Sequence, residues 1–72
     1  MSTRHPERYR KLLQRLREAR LAAGLSQEKA AAALGVYQKY ISKVEIGERR
    51  IDPIELQEFA DLYGKPLQFF YE

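Results

Sequence analysis

The stretch Ser26–Gly47, SQEKAAAALGVYQKYISKVEIG, contains the signals for two short helices in immediate succession. Its first residue is a preferred N-cap, and the alanine-rich run that follows has high helix propensity. Gly35 interrupts this run with a residue that tolerates the positive φ common at a helix C-terminus. A second, more polar helix begins near Tyr37 or Gln38 and ends at the final glycine. The stretch therefore predicts two helices joined by a short turn, a helix-turn-helix.

The side chains of this stretch divide into an inward and an outward set. Ala31 is small enough for the closest approach of the two helices, and Ile41 and Val44 are spaced to hold the second helix against the first. Val36 is expected to add a further core contact. The outward set of the second helix is polar or basic and contains no acid: Gln38, Lys39, Ser42 and Lys43. A generic surface helix usually mixes both signs of charge, so this bias favours an anionic partner.

Helical signals continue on both sides of the stretch, and no alternating pattern predicts a strand. An arginine-rich first helix precedes it, with residues 1–6 expected to form a flexible basic arm. After it, Asp52 can cap a fourth helix, Pro53 suits the first helical position, and Glu55 can complete a capping box. A short fifth segment occupies residues 67–72. The 72 residues therefore predict a single compact all-α domain of five helices.

The net charge of +3 conceals a strong asymmetry along the chain. Residues 1–20 hold seven Lys and Arg against two acids, and residues 21–50 hold five against three. Residues 51–72 hold one against five. A basic portion and an acidic end suggest one face for a polyanion, although arginine-rich helices can also be merely solvated.

The composition argues against several other classes of protein. The chain has no cysteine, which excludes disulfides and thiolate metal sites. No apolar run is long enough to span a bilayer and no signal peptide is recognisable, so we expect a cytoplasmic protein. The single histidine, His5, has no catalytic partners nearby, and the acids do not form a ligand cluster. We therefore expect no enzymatic activity, no metal and no cofactor.

The order and spacing of these features resemble the DNA-binding domain of the phage repressor and Cro-like family, often called the Xre family. The resemblance covers roughly residues 8–70. It is carried by Leu25-Ser26-Gln27, Ala31, Leu34-Gly35-Val36, Ile41-Ser42-Lys43-Val44-Glu45, Gly47, Asp52-Pro53 and Tyr63-Gly64 with the proline two residues later. It implies a lambda-repressor-like fold whose second and third helices form the helix-turn-helix. The third helix would enter the major groove of double-stranded DNA.

The resemblance also implies which residues contact bases. They lie in the first two turns of the third helix, at Tyr37, Gln38, Lys39, Ser42 and Lys43. Gln38 suits a bidentate contact to adenine, and either lysine could donate to guanine. Tyr37 departs from the family, which usually has a capping Ser or Thr at this position. Its ring could press on a thymine methyl, or its hydroxyl could reach a phosphate.

Four further residues are candidates for contacts to the DNA backbone. Gln27 matches a position that commonly binds a phosphate, and the alternative is a tolerated residue in the first helical turn. Tyr40 either lies along the backbone or fills space against the start of the fourth helix. Arg49 and Arg50, in the loop after the third helix, are expected to neutralise phosphates.

The resemblance implies a structural ion pair between Arg20 and Glu45. This pair would join the first helix to the third and fix the angle of the recognition helix. A phosphate contact from Arg20 is a second possibility.

The last segment is expected to provide an interface. Leu67 and one phenylalanine should complete the core, and the remaining aromatic area of Phe69, Phe70 and Tyr71 should lie exposed as a dimer contact. We expect a homodimer that reads a palindromic operator, with no separate domain for oligomerisation or ligand sensing. The leading hypothesis is a sequence-specific DNA-binding transcriptional regulator, a small repressor or control protein. The alternative is an antitoxin-like or adaptor module that binds a protein partner through the aromatic segment.

Overall fold

The computed structural model describes residues 6–72, and the predicted basic arm before Pro6 lies outside them. The elements in chain order are α1 Pro6–Ala22, α2 Gln27–Leu34, α3 Gln38–Glu45, α4 Pro53–Tyr63 and a 3₁₀ helix Leu67–Tyr71. No strand occurs within these residues, so the all-helical prediction is confirmed, with a 3₁₀ helix as the fifth element. Pro6, the last residue of the predicted arm, is the first residue of α1, a position that suits proline. No helix in residues 6–72 is long and apolar enough to cross a membrane.

The turn between α2 and α3 forms as its sequence predicts. Ser26 caps α2 by accepting a hydrogen bond from the Lys29 backbone N–H at 3.1 Å. Gly35 ends α2 in the left-handed conformation, with φ of 72°. The next N–H, that of Val36, then donates to the Ala31 carbonyl at 3.0 Å. A residue with a side chain would be strained at Gly35, so the glycine fixes the direction in which α3 departs.

The start of α4 carries the predicted capping box. The Glu55 backbone N–H donates to Asp52 Oδ1 at 2.7 Å, and the Asp52 backbone N–H donates to Glu55 Oε1 at 2.9 Å. Pro53 occupies the first turn, where its missing N–H costs nothing. The box fixes the end of the loop that follows α3, and so places α4 relative to the recognition helix.

The core lies where α1, α2, α3 and α4 converge and is closed by the last segment. Ala31 is buried and lets α2 approach closely, while Ile41 and Val44 turn the inner face of α3 into the core. Val36, expected in the core, is 37% exposed because it lies in the turn beyond the last residue of α2. The buried hydrophobic residues are Leu16, Ala19, Ala30, Ala31, Ile41, Val44, Leu56, Phe59, Ala60, Tyr63 and Phe70.

The 3₁₀ helix is part of the core rather than an appended interface. Phe70 is only 1% exposed, so it is the phenylalanine that completes the core as expected, and its prediction as a dimer contact is wrong. Leu67 is 38% exposed, so it is not the core residue that we expected. Residues three apart in a 3₁₀ helix lie on the same side of it, so Leu67 and Phe70 share a side, but only Phe70 belongs to the core.

Phe69 is likewise occupied by contacts within the chain. The guanidinium of Arg15 lies 5.2 Å from its ring centre and the ammonium of Lys65 lies 4.8 Å from it. Arg15 also donates to the Glu72 carbonyl at 3.1 Å, which fastens the segment to α1. Of the three aromatic residues predicted at a dimer contact, only Tyr71 is exposed.

Candidate nucleic-acid interface

The outward face of α3 presents the predicted base-contact residues together. Gln38, Lys39 and Lys43 are exposed and Ser42 is half-buried, all within one helix of eight residues. Glu45 is the only acid of α3, and its carboxylate is directed to α1 rather than to this face. The surface that α3 offers is therefore polar and positive, and the phosphates of DNA would meet no repelling charge on it.

Gln27 connects the start of α2 to both ends of α3. Its Nε2 donates to Glu45 Oε1 at 3.1 Å, and its Oε1 accepts from Gln38 Nε2 at 3.3 Å. Because a carboxylate only accepts hydrogen bonds, the Glu45 contact fixes which way the Gln27 amide points. The amide oxygen is thus turned toward Gln38 and orients the side chain predicted to read adenine. No regular spacing in the sequence signals a contact between Gln27 and Gln38, which are eleven residues apart.

Arg20 and Glu45 form the implied ion pair. Arg20 Nε lies 2.6 Å from Glu45 Oε2 and Nη2 lies 3.1 Å from Oε1, a bidentate arrangement. Arg20 Nη1 also donates to the Leu25 carbonyl at 2.9 Å. The hydrogen bonds from the guanidinium to Glu45 raise the pKa of Arg20 above its ordinary value. With only 7% of each side chain exposed, the pair lies within the structure and joins α1 to the end of α3.

Tyr40 and Arg49 meet at Glu55. The Tyr40 hydroxyl donates to Glu55 Oε2 at 3.2 Å, and Arg49 Nη1 lies 3.1 Å from the same oxygen. The Arg49 guanidinium also lies 4.5 Å from the centre of the Tyr40 ring, and this ring is stacked on Phe59 of α4 with centroids 6.2 Å apart. Burial and the neighbouring Glu55 carboxylate raise the pKa of Tyr40 to about 12. We call Tyr40, Arg49 and Glu55 the loop cluster.

The loop cluster decides between the two roles left open for Tyr40. Its ring fills the space between α3 and the start of α4, and does not extend freely along the outer surface. Arg49, expected to neutralise a phosphate, is paired with a carboxylate of its own chain. Glu55 provides the common partner, although its sequence context predicts only the capping box.

Arg50 lies on the opposite side of the loop, against α1. Its guanidinium is 4.3 Å from the centre of the Tyr9 ring. It shares with Arg10 and Arg17 an open groove of about 720 Å³ between α1 and the C-terminal end of α3. These two arginines of α1 add positive charge beside the recognition helix. The charge asymmetry of the sequence is the signal for them, but it does not distinguish these two arginines from the other basic residues of α1.

Tyr37 occupies the N-cap position of α3. Its backbone is extended, with φ of −78° and ψ of 150°, and its side chain makes no capping hydrogen bond. The helix accordingly begins at Gln38, the later of the two starting points that the sequence allowed. The side chain is 87% exposed and immediately precedes Gln38, the first residue of α3.

Comparison with known proteins places this arrangement in a family. The sequence profile of a helix-turn-helix family matches residues 16–70, which includes all the candidate contact residues. Two curated relatives are each 36% identical over 58 residues, which cover 81% of this chain and 42% of each relative. They are named uncharacterised HTH-type transcriptional regulators, from Sinorhizobium medicae and Rhizobium meliloti. The matched region is thus less than half the length of these relatives, and no solved structure matches significantly. The match over most of the chain, together with α2 and α3 as observed, shows that the chain belongs to the Xre-type helix-turn-helix family.

Proposed function

We propose that this chain is a sequence-specific double-stranded DNA-binding transcriptional regulator that inserts α3 into the major groove. The observation that carries the proposal is the outward face of α3, on which exposed amide and ammonium groups stand without an acid. Amide and ammonium groups are the donors that read adenine and guanine edges. The bases would be contacted from Tyr37, Gln38, Lys39, Ser42 and Lys43. The same reasoning assigns no catalytic role, and the family is not an enzyme family.

Contacts to the DNA backbone would come from elements on both sides of α3. Gln27 lies at the first residue of α2, where the backbone N–H groups of the helix N-terminus attract a phosphate, while its side-chain amide is held by Glu45 and Gln38. Arg50 and the two α1 arginines of its groove, Arg10 and Arg17, would follow the backbone next to α1. We assign Tyr40 and Arg49 a different task, the positioning of α3, because both are held by Glu55.

We further propose that two copies bind together at a palindromic site. The eight residues of α3 extend about 12 Å, which is the length of only about four base pairs. One copy of α3 therefore contacts too few base pairs to define a unique site. Two copies related by a two-fold axis would place two recognition helices about 34 Å apart, on one face of the DNA. Tyr71 and Leu67 provide exposed apolar area for such a contact. Repression by occupancy of a promoter, in the cytoplasm and on the chromosome, is the mode of action that we propose.

The alternative, a module that binds a protein through the aromatic segment, has less support. The aromatic area exposed for such a partner is mainly that of Tyr71, because Phe70 is buried and Phe69 is in contact with Arg15 and Lys65.

DNA binding can be tested by fluorescence anisotropy. A duplex selected from a random library is titrated with the protein, and a scrambled duplex of the same composition serves for comparison. We expect tighter binding to the selected duplex, and affinity that falls steeply with salt. Gln38→Ala and Lys43→Ala should each weaken selected binding. Lys11→Ala removes another exposed cation, on α1 near Tyr71, and is the matched control. Equal, weak binding to both duplexes, or an equal loss with Lys11→Ala, would contradict the proposal.

A further inference from the structure

Tyr37 is the most exposed large apolar side chain within residues 6–72. It occupies the N-cap position of α3, where Ser, Thr, Asp or Asn would accept a backbone hydrogen bond and stabilise the helix. Tyr37 makes no such bond, so its position is unfavourable for the stability of α3. A single exposed apolar residue is ordinary in a soluble protein. An aromatic ring that replaces a cap beside the outward face of α3 suggests instead a contact made in a complex.

The ring does not stand alone. Tyr37 lines a shallow concave surface of about 580 Å³ together with Gly35, Val36 and Tyr40. Val36, in the turn, contributes exposed apolar area to it, and Gly35 has no side chain to obstruct it. We call the surface formed by Val36, Tyr37 and the accessible part of Tyr40 the apolar pad. It is continuous along the chain with Gln38 and Lys39, the first residues of the outward face of α3.

The chemistry of the major groove limits what such a pad can recognise. Base edges there offer hydrogen-bond donors and acceptors, and the C5-methyl of thymine is their only apolar group. We propose that the apolar pad binds the C5-methyl group of a thymine next to the base pair contacted by Gln38. This inference rests on the proposed function, and it names the chemical group that the start of α3 recognises. A cytosine or a purine at that position would leave the ring of Tyr37 without its apolar partner.

A phosphate contact through the Tyr37 hydroxyl is the competing interpretation. The two differ in the atoms that matter: the methyl contact needs the ring, and the phosphate contact needs the hydroxyl. Tyr37→Phe removes only the hydroxyl, and Tyr37→Ala removes both. Because the side chain is almost fully exposed, neither change should disturb the core.

The test uses duplexes in which deoxyuridine replaces one thymine of the selected half-site at a time. This replacement deletes the methyl group and leaves the hydrogen-bonding edge unchanged. Burial of one methyl group corresponds to about a four-fold change in affinity. The wild-type protein should therefore lose about four-fold at one thymine position and little elsewhere. Tyr37→Phe should keep this sensitivity, whereas Tyr37→Ala should bind the thymine and deoxyuridine duplexes equally.

The controls separate the outcomes. Ile54→Ala removes an exposed apolar side chain at the start of α4 and should leave the methyl sensitivity unchanged. The inference is overturned if no deoxyuridine position weakens wild-type binding, if Tyr37→Ala retains the sensitivity, or if Tyr37→Phe abolishes it. Any of these results refutes the inference alone, provided that the protein still binds the selected duplex more tightly than the scrambled one. Absence of that distinction would instead refute the proposed function itself.

Discussion

Neutralisation of Glu45 is the most informative test of how the recognition helix is held. Glu45→Gln keeps the size of the side chain and removes its charge. Its carboxylate receives two N–H groups of Arg20, at 2.6 and 3.1 Å, and one from Gln27 at 3.1 Å. With 7% of each side chain of the pair exposed, Arg20 would remain as a buried charge without its partner. Breaking a buried pair in this way costs about 3–5 kcal/mol.

This cost is large for a domain of 72 residues. At roughly 0.05–0.15 kcal/mol per residue, its whole free energy of unfolding would be about 4–11 kcal/mol. Glu45→Gln should therefore leave the domain marginally folded. The double variant Arg20→Met with Glu45→Met should recover most of the loss, because two apolar side chains leave no buried charge.

Urea denaturation followed by far-UV circular dichroism measures these effects. Glu18→Gln, in the half-buried Arg15–Glu18 pair within α1, is the control and should change the midpoint far less, because more of this pair is in contact with water. A loss below about 1 kcal/mol for Glu45→Gln would refute the reasoning. The reasoning would also be refuted if the losses in unfolding free energy of Arg20→Met and Glu45→Met simply added in the double variant, because the effects of two residues in contact should not be additive.

Three further predictions concern the loop, the last segment and the response to alkali. Arg49→Ala should weaken DNA binding without changing the slope of log affinity against log salt concentration, because Glu55 holds the guanidinium. Anisotropy titrations at several salt concentrations measure this slope. A slope shallower by about 0.9 would show that Arg49 contacts a phosphate instead. Phe70→Ala should lower the free energy of unfolding, measured by urea denaturation, by about 3–5 kcal/mol, because Phe70 is buried. Tyr71→Ala should lower it by less than about 0.5 kcal/mol, because Tyr71 is exposed. Similar losses for the two variants would contradict this difference in burial. Burial, with the nearby Glu45 carboxylate, raises the pKa of Tyr63 to about 12, whereas the unfolded value is about 10. The unfolded state thus loses this proton first, so the contribution to stability is complete below pH 10 and is lost as the pH rises toward 12. Tyr63→Phe should reduce that decline in stability, measured by urea denaturation across this range, and an unchanged decline would exclude this tyrosine.

Local signals predicted most of the helix boundaries. The caps of α2 and α4 each depend on contacts between residues only a few positions apart, so the local sequence is enough to predict them. These caps are formed by Ser26, Gly35 and the Asp52–Glu55 capping box. The inward positions of α3 follow from helical periodicity and were predicted for the same reason. Val36 was misassigned because a turn has no such periodicity to say which way a side chain points.

Contacts between residues far apart in the sequence were harder to predict. The Arg20–Glu45 pair was implied by the family resemblance and not by any pattern in the chain. The loop cluster depends on where the loop after α3 folds back onto α4, which composition does not specify. In the last segment three aromatic residues follow one another, Phe69, Phe70 and Tyr71, and the sequence does not say which of them turns into the core.

The hydrogen bond from Gln38 to Gln27 has a consequence for attempts to transfer specificity between relatives. The side chain predicted to read a base is oriented by a residue of another helix, and that residue is fixed in turn by Glu45. α3 is therefore not a self-contained module. Grafting its sequence onto another scaffold would transfer the side chains that read the bases but not the contacts that orient them. A successful transplant would need the glutamine at the start of α2 to travel with it.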